Sequence, residues 1–278
     1  MSDKPSPPVE SGSTERALNS MDRLILRIKR ADSPVTRLMR RTLLWLLSPV
    51  VPPLPRFILR PLRLVYEAHY MVIVVYRAVL TVCYRNPVFQ SKCASFGRNV
   101  VVQGKLPFVS GHVQIEIGND VVLGGNLTIL SGALFEKPRL ILKDRASLGW
   151  NVTLIVNREI VIEEDARIPH DCRISDSDGH PREADLRRAN LPPSLKQVLP
   201  VRICRDAWVG NGSHVMKGVT IGEGAIIGAN SVVISNIPPY ALALGNPAEV
   251  LFKNYGIPST QRKTAATQSA DPAPEQAS

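Results

Sequence analysis

The sequence has few aromatic residues and few cysteines, and each scarcity excludes a class of protein. Aromatics make up 5% of the 278 residues while 44% are hydrophobic, which excludes a wholly disordered chain. The glycines have no period of three, which excludes a collagen. No two cysteines form a Cys-x-x-Cys pair, so neither a disulfide scaffold nor a structural zinc site is expected and a reducing compartment fits best. The four are Cys83, Cys93, Cys172 and Cys204.

The first twenty residues, MSDKPSPPVESGSTERALNS, lack the apolar core of a signal peptide. We therefore expect residues 1–20 to be disordered and the protein to be cytoplasmic. The polar, low-complexity end of the chain predicts a second disordered segment over residues 251–278.

Positive charge is confined to one part of the chain. The net charge is +10, and residues 1–100 hold 16 Lys and Arg against 6 Asp and Glu. Residues 101–278 hold 18 of each sign, and 16 of the 18 glycines lie between Gly97 and Gly245. Two regions of different composition therefore meet near residue 90.

Arginine alternates with long aliphatic side chains over residues 21–95, which predicts a basic, amphipathic helical region. One helix is expected over residues 21–30. Ser33 and Pro34 are typical of the cap and first turn of a second helix, which runs through residues 37–47. A third helix is predicted over residues 62–85.

The third helix is a poor membrane span. Leu64–Tyr84 is 21 residues long but contains Glu67, His69 and Arg77, and a central arginine costs at least about 2.5 kcal/mol on insertion. Residues 21–85 are better suited to an anionic membrane surface, with arginines against the lipid headgroups. The alternative is a helical domain that packs on the rest of the protein. A nucleic-acid partner is not expected, because no binding module is recognisable.

A period of six residues governs the C-terminal part of the chain. Such a period fits neither a helix nor a strand between hairpins. It fits a coil of short strands and tight corners, in which three blocks close one triangular turn of 18 residues and the turns stack into a solenoid. The aliphatic residues that recur without a slip are Ile203, Val209, Val215, Ile221, Ile227 and Val233.

Recurring opening blocks trace the coils backward from this repeat. They begin at residues 96, 117, 142, 162, 203 and 221. One spacing exceeds the period far more than the others, which predicts a long loop over residues 175–202. The predicted solenoid covers residues 96–250.

This pattern resembles the hexapeptide-repeat acyltransferases, which implies a left-handed parallel β-helix of about six triangular coils. The motifs in the loop and near the end are similar to those of the maltose/galactoside O-acetyltransferase branch. They are Gly179-His180-Pro181 in the loop, the block AWVG at residues 207–210, Ile237-Pro238-Pro239, and Gly245-Asn246-Pro247-Ala248. A non-enzymatic solenoid scaffold is the alternative that the repeat alone leaves open.

The resemblance implies that His180 is a general base. Acyl transfer from a thioester to a hydroxyl needs a group that takes the hydroxyl proton, and histidine suits that task. Either Asp176 or Asp178 is expected to bond the far imidazole nitrogen. Backbone N–H groups around Asn211 and Gly212 are the expected oxyanion donors.

Acetyl-CoA is the implied acyl donor, lying along the C-terminal coils between subunits of a homotrimer. The positions that match coenzyme contacts are Trp208, Asn211, Gly212 and Ala229, with Lys253 as the nearby cation. Ile234-Ser235 and Glu249 depart from the branch and weaken the expected contacts to the nucleotide phosphates. An acyl carrier protein as donor therefore stays open.

Other residues have weaker assignments. His170 is expected either to line the substrate pocket or to pack at a corner, and His214 to be solvated or at an interface. A covalent role for Cys172 or Cys204 is disfavoured, because no base is recognisable beside either. No metal is expected, although a zinc site of His170, His180 and His214 is a rival interpretation.

The sequence thus predicts an O-acetyltransferase acting on a sugar hydroxyl. The basic extension favours a lipid-linked saccharide of an envelope or exopolysaccharide pathway, met on the inner face of the cell membrane. N-acylation of an amino sugar needs the same base and is the alternative within the enzymes.

Overall fold

The computed structural model describes residues 20–30, 33–47 and 54–257. The segments predicted to be disordered, residues 1–20 and most of 251–278, lie largely outside these ranges. The chain divides into two compact units between His69 and Tyr70. That division falls within a helix, upstream of the composition change seen in the sequence.

The first unit is helical. Helix α1 covers Ser20–Arg30 and helix α2 covers Pro34–Leu47. Ser33 caps α2 as predicted: its Oγ accepts the Thr36 N–H at 3.2 Å, and the Thr36 hydroxyl accepts the Ser33 N–H at 3.0 Å.

The third helix is longer at both ends than the sequence predicts. Helix α3 covers Arg56–Leu80, a π-helical turn covers Thr81–Arg85, and helix α4 covers Asn86–Gln90. It begins before Pro61 because the Pro55 carbonyl accepts the N–H groups of Ile58 and Leu59, at 3.0 and 3.1 Å. Pro61 then lies in the second turn, where it removes one intrahelical hydrogen bond without ending the helix.

From Ser95 onward the chain forms a parallel β-helix of six coils, each contributing one strand to each of three sheets. The first three coils are β1 (Ser95–Phe96), β2 (Val101–Val102) and β3 (Phe108–Ser110); β4 (Gln114–Ile117), β5 (Val122–Leu123) and β6 (Thr128–Leu130); β7 (Arg139–Leu142), β8 (Ser147–Leu148) and β9 (Thr153–Ile155). The last three are β10 (Glu159–Ile162), β11 (Arg167–Ile168) and β12 (Arg173–Ser175); β13 (Val201–Ile203), β14 (Trp208–Val209) and β15 (His214–Val215); β16 (Thr220–Ile221), β17 (Ile226–Ile227) and β18 (Val232–Val233).

The sheets confirm the predicted trace. Sheet A is β1-β4-β7-β10-β13-β16, sheet B begins β2-β5-β8-β11-β14-β17, and sheet C is β3-β6-β9-β12-β15-β18. The strands of sheet A end at Phe96, Ile117, Leu142, Ile162, Ile203 and Ile221, where the six opening blocks begin. All six predicted inward aliphatics, from Ile203 to Val233, are at most 1% exposed.

Asparagine and aspartate form the corners of the triangle. At the corner between sheets B and C, Asn126, Asn151 and Asp171 adopt the left-handed conformation that these residues tolerate. Their side chains form a ladder, with Asn126 donating to Asn151 at 2.9 Å and Asn151 donating to Asp171 at 3.0 Å. This ladder fixes the vertical register of the coils.

Both ends of the β-helix are covered. At the first coil, Phe89 of α4 is 2% exposed in the core, and the Asn86 side chain bonds the backbone of Val100 and Val102 at 2.6 and 3.1 Å. At the last coil, β19 (Leu242–Gly245) extends sheet B in parallel and β20 (Ala248–Phe252) pairs with it antiparallel. The outer backbone of sheet B thereby finds partners at both ends.

Candidate active site

The long loop leaves the β-helix between β12 and β13, at the corner between sheets C and A. It contains a short helix, α5 (Ala184–Arg188), and a 3₁₀ turn (Leu195–Gln197). Its first residues pair with the coil before it, because Asp176 N–H donates to Ile155 O at 3.2 Å, and its last residues pair with the coil after it, because Leu199 O accepts the Gly218 N–H at 3.0 Å. The two ends also pair with each other, since Leu199 N–H donates to Asp176 O at 2.9 Å. The loop is therefore held on the body of the β-helix at both ends.

Asp176 supports the coil below it. Its side chain is fully buried and accepts the backbone N–H groups of Asn157, Arg158 and Glu159 at 2.8, 2.6 and 2.9 Å. Burial raises the pKa of this carboxyl, and the backbone N–H bonds oppose that shift. The expectation that Asp176 bonds the imidazole of His180 finds no support in these contacts, because its oxygens are already satisfied.

A hydrogen-bonded turn carries the chain from Asp176 toward His180. The buried Ser175 hydroxyl donates to Ser177 O at 2.5 Å, and the Ser177 hydroxyl accepts the Gly179 N–H at 3.1 Å. Asp178 forms an ion pair with Lys217, which follows β15 in the next coil. Asp178, like Asp176, therefore has a partner other than the histidine.

His180 lies at the exposed surface of this loop. It makes no side-chain hydrogen bond to any residue in the described ranges, so its imidazole is accessible. Pro181 behind it is buried, and Nη1 of Arg187 in α5 donates to the carbonyls of Pro181 and Arg182 at 3.1 and 2.5 Å. The backbone on both sides of His180 is thus fixed while its ring is free to meet a reactant.

A small pocket of about 190 Å³ opens beside this turn. Ser177 and Gly179 line one side of it, and Gly132 and Asn157 of lower coils line another. Asn157 is itself occupied, because its side-chain oxygen accepts the Gly132 N–H at 2.9 Å. Since Gly179 precedes His180, the pocket lies next to the proposed base.

The predicted coenzyme contacts group at another corner, between sheets B and C. Asn211 and Ala229 are exposed and stacked in adjacent coils, with Asn230 N–H donating to Asn211 O at 2.8 Å. Their own N–H groups donate to no carbonyl in the described part of the chain. Gly212 differs, because its N–H donates to His170 O at 3.0 Å and is not available to an oxyanion.

Two more residues of the predicted coenzyme site, Trp208 and Lys253, are both exposed. The Trp208 side chain on β14 is 52% exposed, an unusual position for a large indole. Lys253 is exposed just after β20. Sheet B thus presents an aromatic surface beside the two available N–H groups.

Within one chain, the turn that carries His180 and the corner that carries Asn211 lie at opposite ends of the strands of sheet C. Strand β15 separates Asn211 from Lys217, and six residues of extended chain span up to about 20 Å. His170 belongs to the Asn211 corner, where its Nδ1 accepts the Trp150 N–H at 2.9 Å. Strand β12 separates His170 from His180, so the structure assigns His170 a corner contact and does not bring it to the loop.

The geometry gives less support to a catalytic cysteine or to a zinc site. Burial raises the pKa of the Cys172 and Cys204 thiols, which disfavours the nucleophilic thiolate. Cys172 also donates to Gly210 O at 3.3 Å. Over the described ranges, His170, His180 and His214 do not gather into a group that holds a metal ion.

The sequence did not reveal several residues that position the loop. Lys217, Arg187, Ser175 and Ser177 all act on the backbone around His180. One feature of the sequence could have indicated the ion pair of Lys217. This residue follows β15 in the coil next to the loop, which places a cation near the acidic Asp-Ser-Asp-Gly turn.

Fold and loop together define a three-sided parallel β-helix with an exposed, backbone-anchored histidine. The family model for the bacterial transferase hexapeptide (six repeats) matches residues 200–235 of this chain, which lie in the last two coils of the β-helix.

Curated proteins named as acetyltransferases are similar to parts of this chain. A protein of Mycobacterium tuberculosis with the name "probable acetyltransferase" is 32% identical over 163 residues, 57% of this chain and 51% of its own length. A protein of Schizosaccharomyces pombe, also named an acetyltransferase, is 51% identical over 74 residues, 27% of this chain and 34% of its own length. The chain spans about half, or less, of the curated relatives it matches.

One solved structure shares the fold. AntD of Bacillus cereus, an N-acyltransferase determined with dTDP-4-amino-4,6-dideoxyglucose and coenzyme A, has a TM-score of 0.51 and 16% identity. The match covers 66% of this chain and 96% of AntD. None of these matches singles out the maltose/galactoside branch, which stays a prediction.

Proposed function

We propose that this protein transfers an acetyl group from acetyl-CoA to a sugar hydroxyl, with His180 as general base. The observation that carries the proposal is the exposed His180 on a loop whose backbone is fixed on both sides. Such a histidine is accessible to a reactant and restrained in position, which general-base catalysis requires. The names of the relatives agree with this chemistry.

The chain's residues perform the transfer as follows. His180 removes the proton of the acceptor hydroxyl as its oxygen attacks the acyl carbon. The N–H of Asn211 donates to the carbonyl oxygen as negative charge develops there. The acceptor oxygen displaces sulfur at the acyl carbon, and His180 returns the proton to the departing sulfur.

The corner at Asn211 suits the acyl donor, which supplies the acetyl group as an activated thioester. Gly210 has no room for a Cβ, which would lie 2.4 Å from Ala229 N, so adjacent coils approach closely there. The corner therefore presents backbone N–H groups rather than side chains to a thioester arm. Trp208 offers an apolar surface beside them, and Lys253 is the available cation for a phosphate.

The separation of His180 and Asn211 within one chain supports a site shared between subunits. We include in the proposal a homotrimer in which the loop of one copy faces the Asn211 corner of the next. Each reaction centre then uses His180 from one chain and the N–H donors of its neighbour.

The proposal places the protein in the cytoplasm, on an anionic membrane surface. The helix Arg56–Gln90 is long and apolar enough to cross a membrane, since an 18-residue window within it has a mean hydropathy of 1.3. Its apolar side chains in the first unit are exposed. Its arginines favour the headgroup boundary over a span. A lipid-linked saccharide is the acceptor such a location favours.

Purified protein with acetyl-CoA and a panel of acceptors tests this proposal. Neutral saccharides and amino sugars are compared by thiol release and by the mass of the product. Acetylation of hydroxyl-only acceptors supports the proposal, whereas transfer only to amines assigns N-acylation, which the same base serves. Absence of coenzyme A binding by calorimetry favours a scaffold, and one bound zinc per chain favours a metalloenzyme.

A further inference from the structure

The second unit contains a cleft that the proposed reaction does not use. Its volume is about 630 Å³, and it lies between the π-helical turn Thr81–Arg85 and sheet B of the first coils. Arg77, Arg85 and Gln103 supply its polar lining, and Trp150 supplies an aromatic wall. It is remote in the sequence from the loop of His180 and shares no lining residue with the smaller pocket.

Arg85 is a buried cation with no counter-ion among the residues that the structure describes. It is 9% exposed, and buried arginine is rare unless it is paired, because its charge loses solvation. Its Nη1 donates to neutral oxygens only, Thr81 Oγ1 at 3.0 Å and Arg77 O at 3.5 Å. In the described ranges no carboxylate lies within 4 Å of its guanidinium or of that of Arg77.

The helix geometry directs this charge into the cleft. Arg77, Thr81 and Arg85 follow one another at intervals of four, and the Thr81 hydroxyl bonds both Arg77 O at 2.9 Å and Val102 O at 3.4 Å. These contacts fix the turn against β2. The π-helical turn itself is a rare conformation that recurs at functional sites.

The opposite wall of the cleft is formed by Trp150, which packs closely on a glycine. The ring of Trp150 lies over Gly125, where a Cβ would approach it to 2.5 Å. Val82 and Val101 complete an apolar border around the two arginines. The cleft therefore combines a fixed positive charge with an apolar and aromatic rim.

We propose that this cleft binds a phosphoryl group, with Arg85 and Arg77 as its ligands. Guanidinium groups form charge-assisted, bidentate hydrogen bonds with phosphate oxygens, and the anion supplies the counter-charge that Arg85 lacks. The phosphoryl group is that of a free anion or of a lipid headgroup, whose apolar part would contact Trp150. This site is independent of acetyl transfer.

Trp150 provides the probe. In a Trp45→Phe/Trp208→Phe background it is the one tryptophan left of three. Full-length protein is titrated at constant ionic strength with inorganic pyrophosphate, and separately with short-chain phosphatidylglycerol below its micelle concentration. A saturable fluorescence change with pyrophosphate identifies a free anion as sufficient, and a change with the lipid alone identifies a phosphodiester headgroup.

Two variants connect the binding to the cleft. Arg85→Gln and Arg77→Gln should each weaken binding roughly 10- to 100-fold, the cost of one hydrogen-bonded charge. Arg77 is exposed, so its replacement tests the site even if Arg85→Gln fails to fold. Exposed Arg98, changed to Gln, is the matched control and should bind as the parent does. No saturable signal with either ligand, or equal affinity in Arg77→Gln, overturns the proposal.

Discussion

Asp178 and Lys217 form an ion pair that joins the histidine loop to the coil above it. The Lys217 side chain is 12% exposed, so this pair is shielded from solvent more than a typical surface pair. Because Asp178 lies two residues before His180, the ion pair also restrains the position of the histidine.

Loss of this pair should loosen the loop. Lys217→Gln is expected to lower the free energy of loop opening by about 1 kcal/mol, the upper range for such pairs, and to accelerate local cleavage about fivefold. Trypsin reports this directly, since Arg182, Arg187 and Arg188 lie in the loop. Lys196→Gln is the control, because this exposed lysine of the same loop forms no ion pair with the described residues, and it should leave cleavage at these arginines unchanged.

His180→Ala should abolish most acetyl transfer. Removal of a general base typically costs about 10²–10⁴ in rate, and acetyl-CoA affinity should change little, because the proposed donor contacts lie elsewhere. Initial rates and calorimetric binding measure the two quantities. His112→Gln is a control, since its ring bonds Phe135 O at 2.7 Å away from this turn. A rate within twofold of the wild type would remove His180 from the mechanism.

We expect substitution of Asp176 to affect the stability of the protein more directly than its catalysis. Asp176→Ala removes the acceptor of three backbone N–H groups, one of them on buried Asn157, and should cost about 3 kcal/mol. Asp176→Asn should cost less, because an oxygen at the position of Oδ2 still accepts all three N–H groups within 3.0 Å, although the amide nitrogen at the position of Oδ1 no longer accepts the Asn157 N–H. Urea unfolding gives both values, and equal losses would contradict this contact set. Asp185→Ala, at an exposed position of α5 where the carboxylate bonds no other described residue, is the charge-matched control.

Cysteine alkylation should follow burial and protonation. Burial raises the pKa of the Cys93 thiol to about 12, and also raises that of Cys172, so both stay protonated at pH 8. Iodoacetamide at pH 8 is expected to modify exposed Cys83 first, and Cys93 and Cys172 only after unfolding. Peptide mass spectrometry identifies the sites. Fast labelling of Cys172 with loss of activity would instead support a covalent acyl-cysteine.

Membrane association should depend on arginines of α3. Arg56, Arg60 and Arg63 are exposed on one side of the helix, and each contributes about 1 kcal/mol near an anionic surface. Replacing all three by Gln should weaken binding to phosphatidylglycerol vesicles roughly 100-fold in co-sedimentation. The exposed Lys105, Lys137 and Lys196, changed to Gln together, give the matched loss of charge. Equal weakening in both triple variants would show only a general effect of net charge.

The sequence predicted the coils with little error because the six-residue period is local. Each block carries its own inward aliphatic residue, so the positions of Ile203 and Ile221 follow without knowledge of the neighbouring coils. The contacts of Asp176 could not be predicted in this way, because they join residues 17 to 19 positions apart and depend on how adjacent coils align. The same dependence concealed the partner of Asp178.

The helix boundaries illustrate a second limit. The predicted start at residue 62 is six residues late, because α3 begins at Arg56 and accommodates Pro61 in its second turn. The buried charge of Arg85 was equally hidden, since nothing local distinguishes it from the many exposed arginines nearby. The burial of a residue depends on which parts of the folded chain pack on it, so it cannot be inferred from the residues next to it in the sequence.

The two ends of sheet B limit how copies can associate. Asn86 bonds the backbone beside β2 in the first coil, and β19 pairs with β17 in the last, next to the bridge between Ile221 and Ile237. A second molecule cannot extend the parallel ladder of sheet B without displacing these partners, so they disfavour end-to-end growth into a fibre.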